Sequence, residues 1–154
     1  KNFSKFKKKK KIINNVNKIN NFYKIKLKKK PNIAILGLNP HCETIDPISE
    51  EKREIIPAIK FLLKKKINVK GPYAADTFFL KKNIKKFDVV IGMYHDQVLT
   101  PAKTLFKFNA INITLGLPFV KITPDHGPNF DMIGKNKSDP SSIFYAFDFL
   151  NKIR

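Results

Sequence analysis

Residues 33–37 read Ile33-Ala34-Ile35-Leu36-Gly37, a short apolar run that soon passes into the polar segment Asn39-Pro40-His41-Cys42-Glu43. A continuous apolar run of this length, bounded by helix-breaking residues, is typical of a strand buried in a parallel sheet. The pattern recurs from Phe87 to Met93, where Val89-Val90-Ile91 leads into Tyr94-His95-Asp96-Gln97. We therefore predict two buried strands, each with a histidine beyond its C-terminal end.

Helices are predicted on both sides of the first strand. Residues 1–30 contain no Gly or Pro and carry apolar side chains at helical spacing, which predicts a long basic amphipathic helix, frayed at its start. Pro31 is expected to close it, because the residue before a proline is steered away from helical geometry. A second helix is predicted from Ser49, kinked at Pro57 and ending on Lys64-Lys65-Lys66, where cations suit the helix dipole.

The rest of the chain predicts further short elements. In chain order these are a turn at Gly71-Pro72 with a loop through Thr77, a helix from Leu99 to Phe106, strands at Ala110–Leu115 and Phe119–Thr123, and a turn at Asp125–Pro128. Asp139-Pro140 supplies an N-cap and a first helical residue for a final helix. Its predicted buried stripe consists of Ile143, Phe144, Phe147 and Leu150.

Strands that alternate with helices predict an α/β fold with a mainly parallel sheet flanked by helices. Ligands bind such sheets where the carboxyl ends of strands meet loops. All three histidines of the sequence, His41, His95 and His126, fall in predicted loops that follow strands. This placement favours a site built around them.

The composition is that of one globular domain. The 154 residues, 42% of them hydrophobic, are enough for a single core and too few for a large multidomain enzyme. Cys42 is the only cysteine, which excludes an internal disulfide framework and favours a reducing, cytoplasmic compartment. No apolar run is long enough to predict a membrane span. We expect residues 1–30 to lead as a helix into an α/β lobe over residues 31–154.

The net charge of +19 first suggests a nucleic-acid-binding protein. Residues 1–30, however, hold 13 lysines and no acidic residue, so most of the excess charge lies in that one segment. Only Arg53 and Arg154 are arginines, and arginine is the residue that recognises bases and phosphates with two parallel hydrogen bonds. The distribution disfavours a nucleic-acid-reading surface. A non-catalytic basic binding module stays open as the alternative.

Two of the histidines are candidate metal ligands. His41 and His95 each follow an apolar strand, and each has a carboxylate close in sequence, Glu43 or Asp96. Imidazole suits Zn, Co, Fe or Ni, and carboxylates extend the choice to Mg and Mn. Zinc enzymes usually supply three protein ligands, so a third would have to come from elsewhere. The alternative, that each histidine caps its loop by a hydrogen bond, also remains open.

Other candidates are less specific. Lys103, Asn112 and Lys121 are placed to hold an anionic substrate, although any one of so many lysines is more typical of a solvated face. No glycine-rich phosphate loop is present, which disfavours a conventional dinucleotide site. Cys42 follows His41 directly, and an immediate neighbour rarely reaches the ring, so a structural role is favoured over a nucleophilic one.

Five blocks of sequence together carry a resemblance to a known family. They are Gly37-Leu38-Asn39-Pro40-His41, Gly71-Pro72 with Ala75-Asp76-Thr77, Met93-Tyr94-His95-Asp96-Gln97, Asn112-Ile113-Thr114-Leu115-Gly116-Leu117-Pro118-Phe119, and Asp125-His126-Gly127. In this order and at compatible spacings they resemble the 4-hydroxythreonine-4-phosphate dehydrogenases of vitamin B6 (pyridoxal phosphate) biosynthesis. The resemblance covers residues 31–150 and roughly the C-terminal half of that family's chain. We therefore expect this chain to be part of a longer one, and to be inactive by itself.

The resemblance implies a two-lobed fold like the isocitrate and isopropylmalate dehydrogenases, assembled as a homodimer. It implies NAD and a divalent metal (Zn, Mg or Co) as cofactors, with His41 and His95 as two of three metal-binding histidines and the third in the absent half. The remaining implied roles are catalytic acidic residues at Asp76 and Asp96, substrate binding by Lys103, Asn112 and Lys121, and cofactor binding by Asp125, His126, Gly127 and Asp131. Lys121 departs from the family, which typically has arginine there.

The implied reaction is oxidation and decarboxylation of 4-phosphooxy-L-threonine to 3-amino-2-oxopropyl phosphate. The metal-bound hydroxyl would lose its proton, the carbon that bears it would pass hydride to the nicotinamide, and the resulting β-keto acid would lose CO2. Sister enzymes that oxidise 4-phospho-threonate or diol carboxylates share nearly the same metal set, and the sequence does not separate these substrates.

Overall fold

Residues 33–36 form the central strand of a three-stranded parallel sheet in the computed structural model, which describes residues 8–43, 45–127 and 130–153, without the side chain of Lys81. Strand β1 (Ile33–Leu36) pairs with β2 (Val69–Tyr73) on one side and β3 (Val89–Ile91) on the other, giving the order β2-β1-β3. Every residue of β1 is buried. The two strands predicted from apolar runs are therefore confirmed as parallel neighbours.

The chain packs as two compact units, Lys1–Val98 and Leu99–Arg154. The predicted division into a helix over residues 1–30 and a lobe over 31–154 stays a prediction. Within the described ranges, none of the helices combines the length and the apolar character needed to cross a membrane.

The first unit buries both faces of β1. Ile33 and Ile35 belong to a core that includes Ile12 and Val16 of helix α1 (Lys8–Lys26) and the inner face of helix α2 (Ile56–Lys64). Ala34 and Leu36 point the other way and pack around Phe78. Because successive side chains of a strand alternate between faces, these two clusters form the two layers of helix on sheet that the pattern predicts.

Helix α1 confirms the predicted amphipathic helix but ends earlier than expected. Ile12, Val16 and Asn20 form its buried stripe at a spacing of four residues. The helix stops at Lys26 rather than at Pro31, because Lys28 adopts a left-handed backbone with φ of 52°. The predicted frayed start, residues 1–7, lies outside the described residues.

The second predicted helix is present with a different start. A π-helical turn over Glu51–Ile55 comes first, and α2 follows with Pro57 in its first turn. The amide of Ile56 bonds to the carbonyl oxygen of Glu51, five residues back, which widens this turn. Since proline has no N–H to donate, the first turn of an α-helix accommodates Pro57, so the predicted kink in mid-helix is replaced by a helix boundary.

The predicted turn at Gly71-Pro72 is wrong, because both residues lie inside strand β2. This strand is at the edge of the sheet, where a proline costs no ladder hydrogen bond on the open side. The loop predicted through Thr77 ends in a short helix, α3 (Ala75–Phe78), and a second short helix, α4 (Lys81–Ile84), follows it. The edge position of β2 explains why its sequence lacks the apolar run seen in β1.

Asp88 ties the end of the α1 segment to the starts of β1 and β3. Its carboxylate accepts hydrogen bonds from the backbone amide of Asn32 (2.9 Å) and from the ammonium of Lys29. The Asn32 amide, followed by the Lys29 ammonium, lowers the pKa of the Asp88 carboxyl. The hydroxyl of Tyr23 donates to the backbone carbonyl of Asp88 at 3.1 Å. Asp88 therefore joins α1, β1 and β3 at the amino ends of the strands.

We predict that Asp88→Asn lowers the free energy of unfolding by about 1 kcal/mol at neutral pH. Because the folded-state pKa of Asp88 is lowered, the carboxylate's contribution is fully present above about pH 4, and it is lost as the pH falls through the folded-state pKa. Thermal unfolding of wild type and variant should show a difference in Tm that shrinks below about pH 4. Asp148→Asn, at an exposed position, is the control. A difference in Tm that stays constant with pH would contradict this assignment.

The second unit holds an antiparallel pair rather than an extension of the parallel sheet. Strands β4 (Ile111–Thr114) and β5 (Lys121–Pro124) pair with Asn112 opposite Thr123 and Thr114 opposite Lys121. Both strands were predicted, within three residues at each end. Their antiparallel pairing shows that the mainly parallel description holds for the first unit only. A short 3-10 turn, Phe130–Met132, follows them.

Helix α6 (Ser141–Lys152) packs on these strands with a face that the sequence did not predict. Ser142 and Ala146 are its buried residues, whereas Ile143, Phe144 and Phe147 of the predicted stripe are exposed and Leu150 is only half-buried. The small side chains permit close approach, and the hydroxyl of Ser142 donates to the carbonyl of Ala110 at 2.6 Å. The helix begins one residue later than predicted, with the Asp139 carboxylate accepting from the Ser141 amide at 2.9 Å.

Candidate functional site

His41 lies in a turn just beyond β1, and its imidazole contacts a carboxylate from another segment. Nδ1 of His41 is 2.9 Å from Oδ2 of Asp76, the second residue of α3. The backbone amide of His41 donates to Oδ1 of Asn39 at 2.9 Å, which fixes the turn locally. The ring is 78% exposed. The structure therefore brings together two predicted site residues that are 35 positions apart in the chain.

Asp76 is held ready to orient this ring. Its Oδ1 accepts a hydrogen bond from the hydroxyl of Thr77 at 3.0 Å, and its backbone amide donates to the carbonyl of Pro40 at 3.4 Å. The bond to His41, followed by the bond to Thr77, lowers the pKa of the Asp76 carboxyl. An ionised carboxylate accepts only, so Nδ1 of the neutral His41 ring carries the proton.

His95 is the first residue of helix α5 (His95–Phe106), which starts four residues earlier than predicted. It therefore lies at the start of a helix and not in a loop. The side-chain oxygen of Gln97 accepts a hydrogen bond from the backbone amide of Met93, which spans this first turn. Its Nδ1 is 2.6 Å from Oδ1 of its neighbour Asp96, and both side chains are more than three quarters exposed. The second predicted histidine thus has the same kind of carboxylate partner on the same ring atom.

The two imidazoles share the arrangement expected of metal ligands. Among the described residues, each ring bonds through Nδ1 only, so that Nε2 of both is left open toward solvent. Ligating histidines commonly donate the other ring N–H to a carboxylate, which fixes the tautomer and the direction of the ring. The described ranges contain no group of three or more His, Cys, Asp or Glu side chains arranged to hold a metal ion. The chemistry of each ring therefore suits a metal ligand, and the described residues do not include a complete set of ligands.

In the second unit, two residues with different predicted roles contact each other. Nζ of Lys103, on α5, is 3.0 Å from Oδ2 of Asp125, which follows β5. Lys103 was predicted to bind substrate and Asp125 to bind the cofactor. The ion pair places them side by side and partly neutralises the lysine, so an anion bound at Lys103 would have to share it with Asp125.

Asn112 and Lys121 lie on one face of the β4–β5 pair. Asn112 is opposite Thr123 and Lys121 is opposite Thr114, and residues two apart on a strand share a face. Both predicted substrate-binding side chains are exposed. They therefore present an amide and an ammonium from the same surface.

The predicted cofactor residues are spread over a loop beside a cavity. His126 and Gly127 line a cavity of about 480 Å³ together with Met132 and the segment Lys137–Asp139. Asp131 lies in the 3-10 turn next to Met132 and is exposed, and Nδ1 of His126 is 3.2 Å from the carbonyl oxygen of Gly127. The predicted turn continues through Pro128 and Asn129, which lie outside the described residues. The cavity is in the size range of small-molecule sites.

The sequence did not predict two buried polar residues that hydrogen-bond to the segments carrying the histidines. Glu51 is only 1% exposed and Gln97 6% exposed, although both occur in polar stretches that predict solvent exposure. Glu51 also lies close to Cys42, whose thiol has its pKa raised by burial and then by the Glu51 charge. A thiol with a raised pKa is a poor nucleophile, which agrees with the structural role favoured for Cys42.

Comparison with known proteins gives a family match over most of the chain. The family model described as pyridoxal phosphate biosynthetic protein PdxA matches residues 2–150. The 4-hydroxythreonine-4-phosphate dehydrogenase of Sulfurihydrogenibium sp. (strain YO3AOP1) is 47% identical over 142 residues, which cover 91% of this chain and 44% of that protein. The chain therefore spans less than half the length of this curated relative.

Two solved structures are similar in fold as well as in sequence. The 4-hydroxythreonine-4-phosphate dehydrogenase from Klebsiella pneumoniae matches with a TM-score of 0.77 and 30% identity, over 95% of this chain and 45% of that one. The enzyme of the same name from Burkholderia phymatum matches with a TM-score of 0.74 and 31% identity, over the same shares of the two chains.

Proposed function

The chain belongs to the PdxA family of pyridoxal phosphate biosynthesis, and from this premise we propose that it supplies metal-, substrate- and NAD-binding residues to a 4-hydroxythreonine-4-phosphate dehydrogenase. The proposed reaction converts 4-phosphooxy-L-threonine and NAD⁺ to 3-amino-2-oxopropyl phosphate, CO2 and NADH. The observation that carries this proposal is the pair of imidazoles, His41 and His95, each oriented through Nδ1 by a carboxylate with Nε2 open.

His41 and His95 would hold the divalent cation through Nε2, with a third ligand from the part of the family's chain that this one does not match. The cation, Zn, Mg or Co, would supply Lewis-acid polarisation of the substrate's hydroxyl. Asp76 and Asp96 would fix the tautomer of the two rings, because each carboxylate accepts a hydrogen bond from Nδ1–H and leaves the lone pair on Nε2. As the catalytic acidic residues of this proposal, they would accept a proton from substrate bound at the histidines.

The second unit would bind the charged ends of substrate and cofactor. Asn112 and Lys121 present a hydrogen-bond donor and a cation from one exposed face, which suits a phosphate or carboxylate. Lys103 adds a cation that Asp125 holds in place. The loop of His126, Gly127 and Asp131, beside the 480 Å³ cavity, would take the adenosine part of NAD without a glycine-rich loop.

Three finer features are part of the same proposal. The fold is related to that of the isocitrate and isopropylmalate dehydrogenases, the working enzyme is a homodimer, and it acts in the cytoplasm. That Cys42 is the single cysteine of the sequence suits a reducing compartment.

The proposal is tested by assaying the protein, as expressed from its own gene, for NADH formation. Absorbance should rise when 4-phosphooxy-L-threonine and NAD⁺ are both present, stop on addition of a chelator, and return with Zn²⁺, Mg²⁺ or Co²⁺. 4-Phospho-threonate and a diol carboxylate are assayed in parallel and should react more slowly. Faster oxidation of either one would move the function to a sister activity, and oxidation unaffected by the chelator would contradict the metal.

We predict that Lys121→Ala raises KM for the phosphorylated substrate by about 10- to 100-fold, the value of a hydrogen bond to a charged group, with a smaller effect on kcat. Lys121→Arg should retain most of the affinity, since it keeps the charge. Steady-state kinetics checks both. Lys152→Ala, which removes an exposed lysine from α6 in the same unit, is the matched control. Equal KM values for Lys121→Ala and Lys152→Ala would remove Lys121 from the substrate site.

A further inference from the structure

A single buried side chain joins the two segments that carry the candidate metal ligands. Nε2 of Gln97 donates to the carbonyl oxygen of Gly37 at 2.7 Å, and Oε1 of Gln97 accepts from the amide of Met93 at 2.7 Å. Gly37 lies four residues before His41, and Met93 lies two residues before His95. Gln97 is 6% exposed, so both hydrogen bonds are shielded from water.

Further hydrogen bonds hold the segment between Gly37 and His41 in place. Oε1 of Glu51 accepts from the amides of Leu38 (2.7 Å) and Asn39 (2.8 Å), and the Glu51 side chain is buried. Oδ1 of Asn39 in turn accepts from the His41 amide at 2.9 Å. Hydrogen bonds to the amides of Leu38, Asn39 and His41 therefore hold the backbone between Gly37 and His41.

We propose that Gln97 is a positioning residue that sets the separation and direction of the His41 and His95 imidazoles. This inference rests on the proposed function, in which both rings bind one cation. Gln97 bonds to the carbonyl end of β1 on one side and to the amide that follows β3 on the other, so it fixes the ends of two neighbouring strands. A metal site needs such support, because ligands must be held close to their bound geometry before the cation arrives.

This position requires both the donor and the acceptor of a glutamine side chain. One end of its amide donates and the other accepts, and the link needs one of each, toward Gly37 and toward Met93. Methionine has a similar shape but neither group, so it leaves the Gly37 carbonyl and the Met93 amide buried without partners. Asparagine keeps both groups but is one methylene shorter, so it reaches only one of the two segments.

The test compares Gln97→Met and Gln97→Asn with wild type in the protein as expressed from its own gene. The first measurement is amide hydrogen exchange of the metal-free protein, followed by mass spectrometry on peptides covering residues 37–43 and 92–96. We expect Gln97→Met to accelerate exchange in both segments by about tenfold or more, although they are far apart in sequence. Gln97→Asn, which keeps a polar group in the site, should accelerate one segment and serves if the methionine variant does not fold.

The second measurement is binding of Co²⁺ alone, by calorimetry and by its visible absorption spectrum. Gln97→Met should weaken Co²⁺ binding by about 10- to 100-fold, as removal of supporting residues around a metal does. Phe87→Ala, which removes a ring packed against the other core cluster of the same unit, is the control that lowers Tm, because no residue of that cluster lies in either segment. It should leave both the exchange of the two segments and the Co²⁺ spectrum at wild-type values.

The outcomes separate this inference from the proposed function. Exchange that rises only at residues 92–96 in Gln97→Met would overturn the link, as would a Co²⁺ affinity no lower than that of Phe87→Ala. If the wild-type protein binds no Co²⁺, the metal assignment of the proposed function fails. In that case the exchange pattern alone still shows whether Gln97 holds the two segments together.

Discussion

His41→Ala and His95→Ala should each lower metal-dependent NADH formation by about a thousandfold, the largest functional effect expected of any single change in this chain. A bound cation contributes several kcal/mol to stabilising charge in the transition state, and roughly 4 kcal/mol corresponds to about a thousandfold in rate. Both rings are more than three quarters exposed, so their removal should leave the fold and Tm nearly unchanged. Steady-state kinetics at saturating metal and calorimetric binding of Zn²⁺ measure the two consequences.

Lys64→Ala, at an exposed position of α2, is the matched surface control and should retain full activity. The histidine variants should also lose Zn²⁺ affinity in parallel with activity, which separates loss of a ligand from loss of a general base. Wild-type activity in both histidine variants would exclude the metal assignment.

Gly71→Ala should lower the free energy of unfolding by about 4 kcal/mol, the largest effect on stability expected from so small a change. An added Cβ at Gly71 would lie 2.3 Å from the backbone carbonyl oxygen of Ile35, and that oxygen belongs to the central strand and cannot move aside. Gly71 also has a φ of +139°, which residues with a side chain rarely adopt. Clash and strain add, so the variant should unfold at markedly lower denaturant concentration.

Gly127→Ala is the matched control for this measurement, because no described residue lies within 4 Å of the Cβ that it would add. Its denaturation midpoint should stay close to that of wild type. A Gly71→Ala midpoint equal to that of Gly127→Ala would show that β2 does not approach β1 as closely as described.

The strands differ in how far their sequences reveal them. β1 was predictable because a buried parallel strand must be apolar on both faces, as Ile33–Leu36 is. β3 was predictable from the apolar run Val89–Ile91, although its residues are only half-buried. β2, with sequence Val-Lys-Gly-Pro-Tyr, was not, because an edge strand tolerates Pro72 and a close backbone approach requires Gly71. In local sequence the same dipeptide indicates a turn, and only the neighbouring strand decides otherwise.

In helix α6, the apolar pattern of the sequence did not identify the face that packs. Its large apolar residues predicted a buried stripe, but the helix packs through Ser142 and Ala146 and leaves Phe144 and Phe147 exposed. Periodicity identifies a helix and the spacing of its faces. Which face packs depends on the partner surface, here strands β4 and β5, which periodicity does not describe.

For the candidate site, the histidines were predictable and their supports were not. His41 and His95 stand out because polar residues beyond the ends of neighbouring parallel strands converge. Asp76 contacts His41 although the two are 35 residues apart in the chain, and Glu51 and Gln97 are buried. Both features depend on how segments distant in sequence come together. Local sequence carries no signal for such contacts, since both buried residues occur in polar stretches.

Anomalous X-ray diffraction from crystals of the protein, as expressed from its own gene and grown with Zn²⁺, would locate the proposed cation. We expect one strong peak about 2.0–2.1 Å from Nε2 of both His41 and His95, with their Nδ1 atoms still bonded to Asp76 and Asp96. A peak that contacts neither ring, or two rings that point into separate environments with zinc on only one, would contradict it.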